Sequence, residues 1–238
     1  MNGVLRVGVP VATMWASPDS PRAIDAAAVA DTPDMDAWLS GLTAEDRLGL
    51  HGRTVTQALD GEPVLVEERR DGWAHIVAPW QPVVGDNGYQ GWAREAHLRE
   101  ADDGDLDHPP DRAPADRISV AAYAERFAGL TYLWGGTSPA GFDCSGLVHY
   151  SYRQAGYVVP RDSPDQARAV TLVPLGDEQP GDLYFFARDD GRVYHVGFVR
   201  SGGRMLHAPE TNGTGRILEE ELSPERRSHL VAAGRFEI

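Results

Sequence analysis

The chain has 238 residues, 42% hydrophobic and 24% charged, a globular composition that excludes a mostly disordered, collagen-like or coiled-coil protein. Its 22 basic against 36 acidic residues leave a formal charge of −14, which argues against nucleic acid or anionic lipid as a partner. No run approaches the roughly 18 apolar residues of a membrane helix, and a single cysteine, Cys144, rules out an internal disulfide.

Leu5, Val7, Val9 and Val11 alternate with Arg6, Gly8 and Pro10, the pattern of a strand. The apolar stretch 7–16 is interrupted by Pro10 and Thr13 and has only Arg6 as a basic flank, so it reads poorly as a signal peptide. With the lone thiol, this points to a cytoplasmic protein. Between about Met35 and Leu50, Trp38, Leu39, Leu42 and Leu48 share a helical stripe. Thr43 with Asp46 resembles a capping box and leaves a two-helix alternative open. Runs 64–68, 73–77 and 91–93 follow Asp60-Gly61, Asp71-Gly72 and Asn87-Gly88, and read as short strands of a small hairpin barrel. Residues 101–116, ADDGDLDHPPDRAPAD, are acidic, Pro-rich and too poor in apolar surface to offset ordering entropy, hence a linker. It separates an all-β region, 1–100, carrying a helical insertion near 35–50, from a second region, 117–238. There, 120–128 is a short amphipathic helix, and Leu147, Val148, Ser151, Tyr152 and Ala155 trace another that Gly156 ends. Strand-like runs follow at 182–187, 193–200 and 204–208. Helices first and strands afterwards give an α+β class.

The chemistry centres on Cys144, placed in the first turn of the second helix. Free N–H groups and the helix dipole there favour a thiolate, so its pKa is expected to be lowered. The competing reading is a small buried apolar residue. Alternation puts His195, Gly197 and Val199 on one strand face, and a hairpin through Ser201-Gly202-Gly203 brings His207 alongside. His195 would take the thiol proton and His207 would fix its tautomer. A zinc site is the rival use of these groups, but close ligand pairs are missing, and no metal or cofactor is expected. No phosphate-binding, dinucleotide, G-x-S-x-G or HExxH pattern occurs. Asn212-Gly213-Thr214 matches a glycosylation sequon and is read as a loop.

Six pieces occur in order: Tyr132-Leu133-Trp134-Gly135-Gly136, Phe142-Asp143-Cys144-Ser145-Gly146-Leu147, Arg161-Asp162-Ser163 with Gln166, Gln179-Pro180-Gly181-Asp182-Leu183, His195-Val196-Gly197 and His207-Ala208. Together they resemble the NlpC family of papain-like cell-wall peptidases over residues 120–238. The resemblance implies a papain-like α+β domain. It also implies hydrolysis of the amide between γ-linked D-glutamate and a diamino acid in peptidoglycan stem peptides. Cys144, His195 and His207 would then be catalytic. The Cys144 N–H and the Tyr132 hydroxyl would hold the oxyanion. Asp143 and Ser145 would recognise the D-glutamyl unit, a plain helix cap being the alternative for Asp143. Gly72-Trp73 and Gly91-Trp92 resemble a bacterial SH3-like domain. Thr56-Gln57, Gly61-Glu62 and Gly88-Tyr89 resemble the recycling-type members, in which that domain restricts substrates to short peptides with a free N-terminal L-Ala. Asp162 would bind the amine, with Glu62 and Tyr89 as further partners. Such members often carry two SH3-like domains, and only one fits before the linker. The resulting expectation is a monomeric cysteine peptidase acting on recycled muropeptides. The alternatives are a wall-peptide binding protein with an inactive peptidase-like domain, and a secreted wall-remodelling hydrolase.

Overall fold

A computed structural model describes residues 4–101, 116–210 and 215–238; the linker expected at 101–116 lies almost wholly outside them, as does Asn212-Gly213-Thr214. The alternating N-terminal stretch forms β1 (Val4–Val7) and β2 (Val11–Trp15). Three short helices follow, α1 (Ala26–Val29), α2 (Met35–Gly41) and α3 (Ala44–Leu48). The two-helix alternative thus describes this insertion. Asp46 N–H donates to Thr43 Oγ1 at 3.1 Å and Thr43 N–H to Asp46 Oδ2 at 3.0 Å, which starts a new helix at residue 44. Then come β3 (Thr54–Leu59), β4 (Pro63–Arg70), β5 (Trp73–Ala78), β6 (Tyr89–Arg94) and β7 (Leu98–Glu100). All pair antiparallel in the order β3-β2-β6-β5-β4-β1-β7. Asp71 and Gly72 have φ of 51° and 79°, the paired positive values of a type I′ turn, so the Asp-Gly signal sets the β4–β5 hairpin.

The second region opens with α4 (Arg117–Glu125), the ribbon β8 (Thr137–Ser138) and β9 (Gly141–Phe142), then α5 (Cys144–Gln154) and α6 (Ser163–Ala169). Strands β10 (Thr171–Val173), β11 (Leu183–Ala187), β12 (Val193–Arg200), β13 (Arg204–His207) and β14 (Leu218–Glu221) lead to α7 (Pro224–Ser228) and β15 (Leu230–Arg235). The six strands form an antiparallel sheet ordered β10-β15-β11-β12-β13-β14. Helix α5 lies across β12. Its Leu147, Val148 and Tyr152 are fully buried in one cluster with Phe185 and Phe198, each contributing roughly 1.5–3 kcal/mol of burial. Gly156, at φ 89°, takes the left-handed conformation that ends it. Among the described residues no helix is long and apolar enough to cross a membrane.

A buried polar network ties the two regions together. Gln57 of β3 accepts from Thr137 N–H at 3.1 Å and Ser138 Oγ at 2.9 Å through Oε1, and from Thr137 Oγ1 at 2.8 Å through its carbonyl. Its neighbour Thr56 accepts from Arg161 Nε at 2.9 Å and donates to Gln81 Oε1 at 2.6 Å. Leu133 packs into the cluster of Trp15, Trp38 and Leu50, so apolar contact crosses the same seam.

Among the described residues four histidines, His97, His149, His195 and His207, are buried, and burial pushes the pKa of each below the ordinary value, His149 to about 3. The unfolded chain protonates these rings near pH 6.5 while the folded chain does not, so the unfolded state binds more protons and stability falls as pH drops below 6.5. His149 alone costs about 2 kcal/mol at pH 5 on this basis. Chemical denaturation is expected to give a clearly lower midpoint at pH 5 than at pH 7.5; equal midpoints would contradict buried neutral imidazoles.

Candidate active site

The site begins with the start of α5. Asp143 is the cap: its Oδ1 accepts from Gly146 N–H at 2.7 Å and its Oδ2 from Gly135 N–H at 3.0 Å. Its remaining capacity goes to Arg161, which donates from Nη2 to Oδ2 at 2.6 Å and from Nη1 to Oδ1 at 3.1 Å. Arg161 Nη1 also reaches Ser145 Oγ at 3.0 Å. A fully buried guanidinium is thereby held against a carboxylate with nearly every donor used. The cap and the ion pair are one structure, and the helix-cap reading of Asp143 describes it. The turn before the helix must come very close: a Cβ on Gly146 would stand 2.0 Å from Gly136 O, which is why glycine follows Cys144-Ser145.

Cys144, the first residue of α5, sits against β12, whose Val196 N–H bonds to its sulfur. His195 precedes Val196. Its Nε2 lies 2.8 Å from His207 Nδ1, and His207 Nε2 lies 3.1 Å from Glu220 Oε1 on β14. The carboxylate fixes the tautomers. His207 donates Nε2–H to Glu220, so its Nδ1 accepts from His195 Nε2–H, and the His195 lone pair is left on Nδ1. The structure therefore pairs the two imidazoles, adds Glu220 behind them, and sets His195 and Cys144 on one cavity.

The thiol behaves differently from the sequence expectation. Burial, and next the adjacent Asp143 charge, push its pKa up to about 12, against the smaller help of the Val196 N–H, Arg161 and the Ser145 N–H. Burial and the neighbouring His207 hold His195 well below the ordinary imidazole value. The two effects favour a neutral thiol and a neutral imidazole. The helix start is present, but desolvation outweighs it.

Gly197 makes the pairing of His195 and His207 geometrically feasible. It stands opposite His207 across β12 and β13, and a Cβ there would lie 2.9 Å from His207 Cβ and 2.6 Å from Met205 Sδ. Gly197→Ala is expected to push β13 away, break the 2.8 Å bond between the imidazoles and lower kcat about 100-fold, since a misplacement of about 1 Å can cost that much. Wild-type kcat in a folded Gly197→Ala variant would contradict this.

Cys144 and His195 border a cavity of about 630 Å³, and Asp143, Ser145 and Arg161 line it too. Tyr132, Cys144, Ser145 and His195 line it from the second region; His51, Val55 and Tyr89 line it from the first. Burial, then Asp143 and Cys144, raise the Tyr132 pKa well above its ordinary value, so its hydroxyl stays a donor. Tyr89 OH donates to Asp162 Oδ2 at 3.0 Å, on the cavity wall. Burial raises the Asp162 pKa despite Arg161 at 3.5 Å. His51 stacks on Trp134 at 3.7 Å between ring centres and pairs with Glu210, closing another side.

Glu62 is the exception. It is completely buried outside the cavity, where its Oε2 accepts from Arg153 Nη1 at 2.5 Å and Leu59 N–H at 2.9 Å, and its Oε1 from Gln81 Nε2 at 2.8 Å. Arg153 in turn lies over Trp80. A buried carboxylate needs such partners, and these hold it in the seam between the regions rather than at a ligand. Expecting it at the substrate amine is therefore corrected. Among the described residues no group of three or more His, Cys, Asp or Glu is placed to hold a metal ion.

The residues 129–229 match the NlpC/P60 family. The chain is 33% identical to the gamma-D-glutamyl-L-lysine dipeptidyl-peptidase of Bacillus subtilis strain 168, over 91% of this chain and 96% of that protein. It is 27% identical to the protein of the same description from Bacillus cereus strain ATCC 10987, over 89% and 85% of the two chains. Its fold is similar to the crystal structure of an NlpC/P60 family protein from Bacillus cereus ATCC 10987, with a TM-score of 0.89 and 25% identity over 98% and 99% of the two chains.

Proposed function

Because the chain belongs to the NlpC/P60 family, we propose that it is a cysteine peptidase cleaving the amide between γ-D-glutamate and a diamino acid in short peptidoglycan peptides. The observation that carries this reading is the hydrogen-bonded series from Glu220 through His207 to His195, which lines the same open cavity as the lone thiol of Cys144.

Cys144 is the nucleophile. As its sulfur attacks the carbonyl carbon, the thiol proton passes to His195 Nδ1. Coupling the proton transfer to attack suits a pair that rests neutral. The Cys144 N–H and Tyr132 OH hold the tetrahedral oxyanion. On collapse the C–N bond breaks, the amine leaves with the proton from His195, and a thioester remains. Water adds to that thioester with His195 as base, releasing the γ-glutamyl carboxylic acid and restoring the thiol. His207 and Glu220 keep Nδ1 of His195 free throughout.

Ser145 and the Arg161–Asp143 pair recognise the glutamyl unit, and Asp162 with Tyr89 takes a free amino terminus. The first sheet, an antiparallel set of hairpins, is an SH3-like domain on residues 1–100, and the papain-like domain is 117–238. The first domain supplies Tyr89 to the wall, which limits substrates to short peptides such as those released in cell-wall recycling, in a cytoplasmic setting.

The test is mass spectrometry of L-Ala-γ-D-Glu-diaminopimelate and its N-acetylated form after incubation with the protein. Release of L-Ala-γ-D-Glu from the first only is expected. Equal cleavage of both would remove the amine requirement, and cleavage of neither would favour a binding protein.

A further inference from the structure

The cavity wall carries opposite charge at its two ends. Hydrogen bonds and ring contacts order the groups along it: Tyr89, Asp162, Arg161, Asp143 and Ser145 on the Cys144 side, then His195, Tyr194 and a basic cluster beyond. Arg188 lies over the Tyr194 ring at 5.5 Å and His229 Nδ1 is 3.1 Å from Tyr194 OH. Arg192 and Arg226 line the same cavity, as does the carboxylate Glu225. In a chain of charge −14 this concentration of cations calls for a reason.

The hairpin sharpens the question. Arg188 N–H donates to Arg192 O at 3.1 Å, so the two arginines stand opposite each other across the turn that joins β11 and β12. Like charges so placed destabilise a hairpin. Among the described residues neither forms an ion pair, whereas Arg226 is approached by Glu220 at 3.5 Å. Asp190 in the turn accepts from the Arg192 backbone N–H at 2.9 Å, not from its guanidinium. An exposed guanidinium pair that forms no ion pair among the described residues, beside a catalytic cavity, suits an external carboxylate.

The chemistry decides which part of the substrate meets it. The leaving amine receives its proton from His195, so the released residue must lie on the His195 side, toward Tyr194 and the arginines. Resting on the peptidase reading above, we infer that Arg188 and Arg192, with Arg226 behind them, form a carboxylate subsite for the residue released by cleavage. The cavity then matches a short zwitterionic peptide, its ammonium at Asp162 and its carboxylate at the hairpin. That carboxylate is either the α-carboxylate of a peptide ending at the diamino acid or the second carboxylate of a diaminopimelate-type residue.

Four peptides separate these sources: L-Ala-γ-D-Glu followed by L-Lys, L-Lys amide, diaminopimelate, or diaminopimelate amidated at the α-carboxyl. The L-Lys acid is expected to exceed its amide about ten-fold in kcat/KM, mainly through KM, as for one charge-assisted contact. If the amidated diaminopimelate peptide keeps its kcat/KM, the second carboxylate also serves; if it falls like the lysine amide, the α-carboxylate is the ligand. In the double variant Arg188→Gln/Arg192→Gln, on an exposed turn, the acid-to-amide ratio is expected to collapse to within about two-fold. Equal rates for all four peptides in the wild type, or an unchanged ratio in the variant, would overturn the subsite while leaving the peptidase reading standing. Cleavage of none would overturn that reading and the subsite with it.

Discussion

Cys144→Ala is expected to remove peptide cleavage by at least about 10⁴-fold, as loss of a covalent nucleophile typically does, while the protein stays folded. The side chain is small, buried and bound to its surroundings mainly through the Val196 N–H, so truncating it leaves little behind. No other cysteine exists to substitute for it. The matching measurement is single-turnover cleavage of the L-Ala-γ-D-Glu-diaminopimelate peptide beside a thermal melt. Residual turnover near wild type would show that the thiol is not the attacking group. A variant that no longer melts cooperatively would show that Cys144 is chiefly a packing residue. Cys144→Ser helps to separate these outcomes, because it preserves volume and a proton but supplies a poorer nucleophile.

Arg161→Met is expected to harm both stability and activity. The guanidinium is 1% exposed and its removal leaves the Asp143 carboxylate without its counter-ion, a loss of about 3–5 kcal/mol for a buried pair. For a chain of this size that is a fall of about 10 °C in melting temperature. It also removes the bonds from Arg161 to Ser145 Oγ and to Thr56, so the proposed glutamyl pocket loses its support. The double variant Arg161→Met/Asp143→Asn removes the stranded charge, and is expected to recover part of the stability and none of the activity. Full recovery of activity in the double variant would show that the pair serves folding alone.

How much of this was legible beforehand depends on how far apart the interacting residues lie. Asp71-Gly72 announced the β4–β5 hairpin because a type I′ turn is a local event that this pair favours, whereas Asp60-Gly61 joins β3 to β4, which do not pair. The imidazole pair was legible for the same reason: alternation on β12 and a short return fix which residues face each other. Glu220 was not, because Leu218-Glu219-Glu220-Glu221 has no apolar alternation to reveal which glutamate points at His207. Arg161 stood in a recognised motif, yet its task depends on Thr56, 105 residues earlier. Glu62 was misplaced because Arg153, its partner 91 residues later, carries no local signal. The thiol's raised pKa follows from burial by β12, a tertiary effect that helix position alone does not contain.

The hydrogen bonds from Gln57 and Thr56 have an evolutionary and practical consequence. The cavity wall is shared property: Arg161 belongs to one half of the molecule and the Thr56 hydroxyl steadying it to the other. The halves are therefore not interchangeable parts, and a chimera that swaps in a foreign front portion loses catalysis unless it restores a hydroxyl at position 56. Conversely, two co-produced fragments cut between 101 and 116 keep the seam contacts of the described residues Gln57, Thr56 and Glu62, and are expected to recover a peptide cleavage that neither shows when made alone.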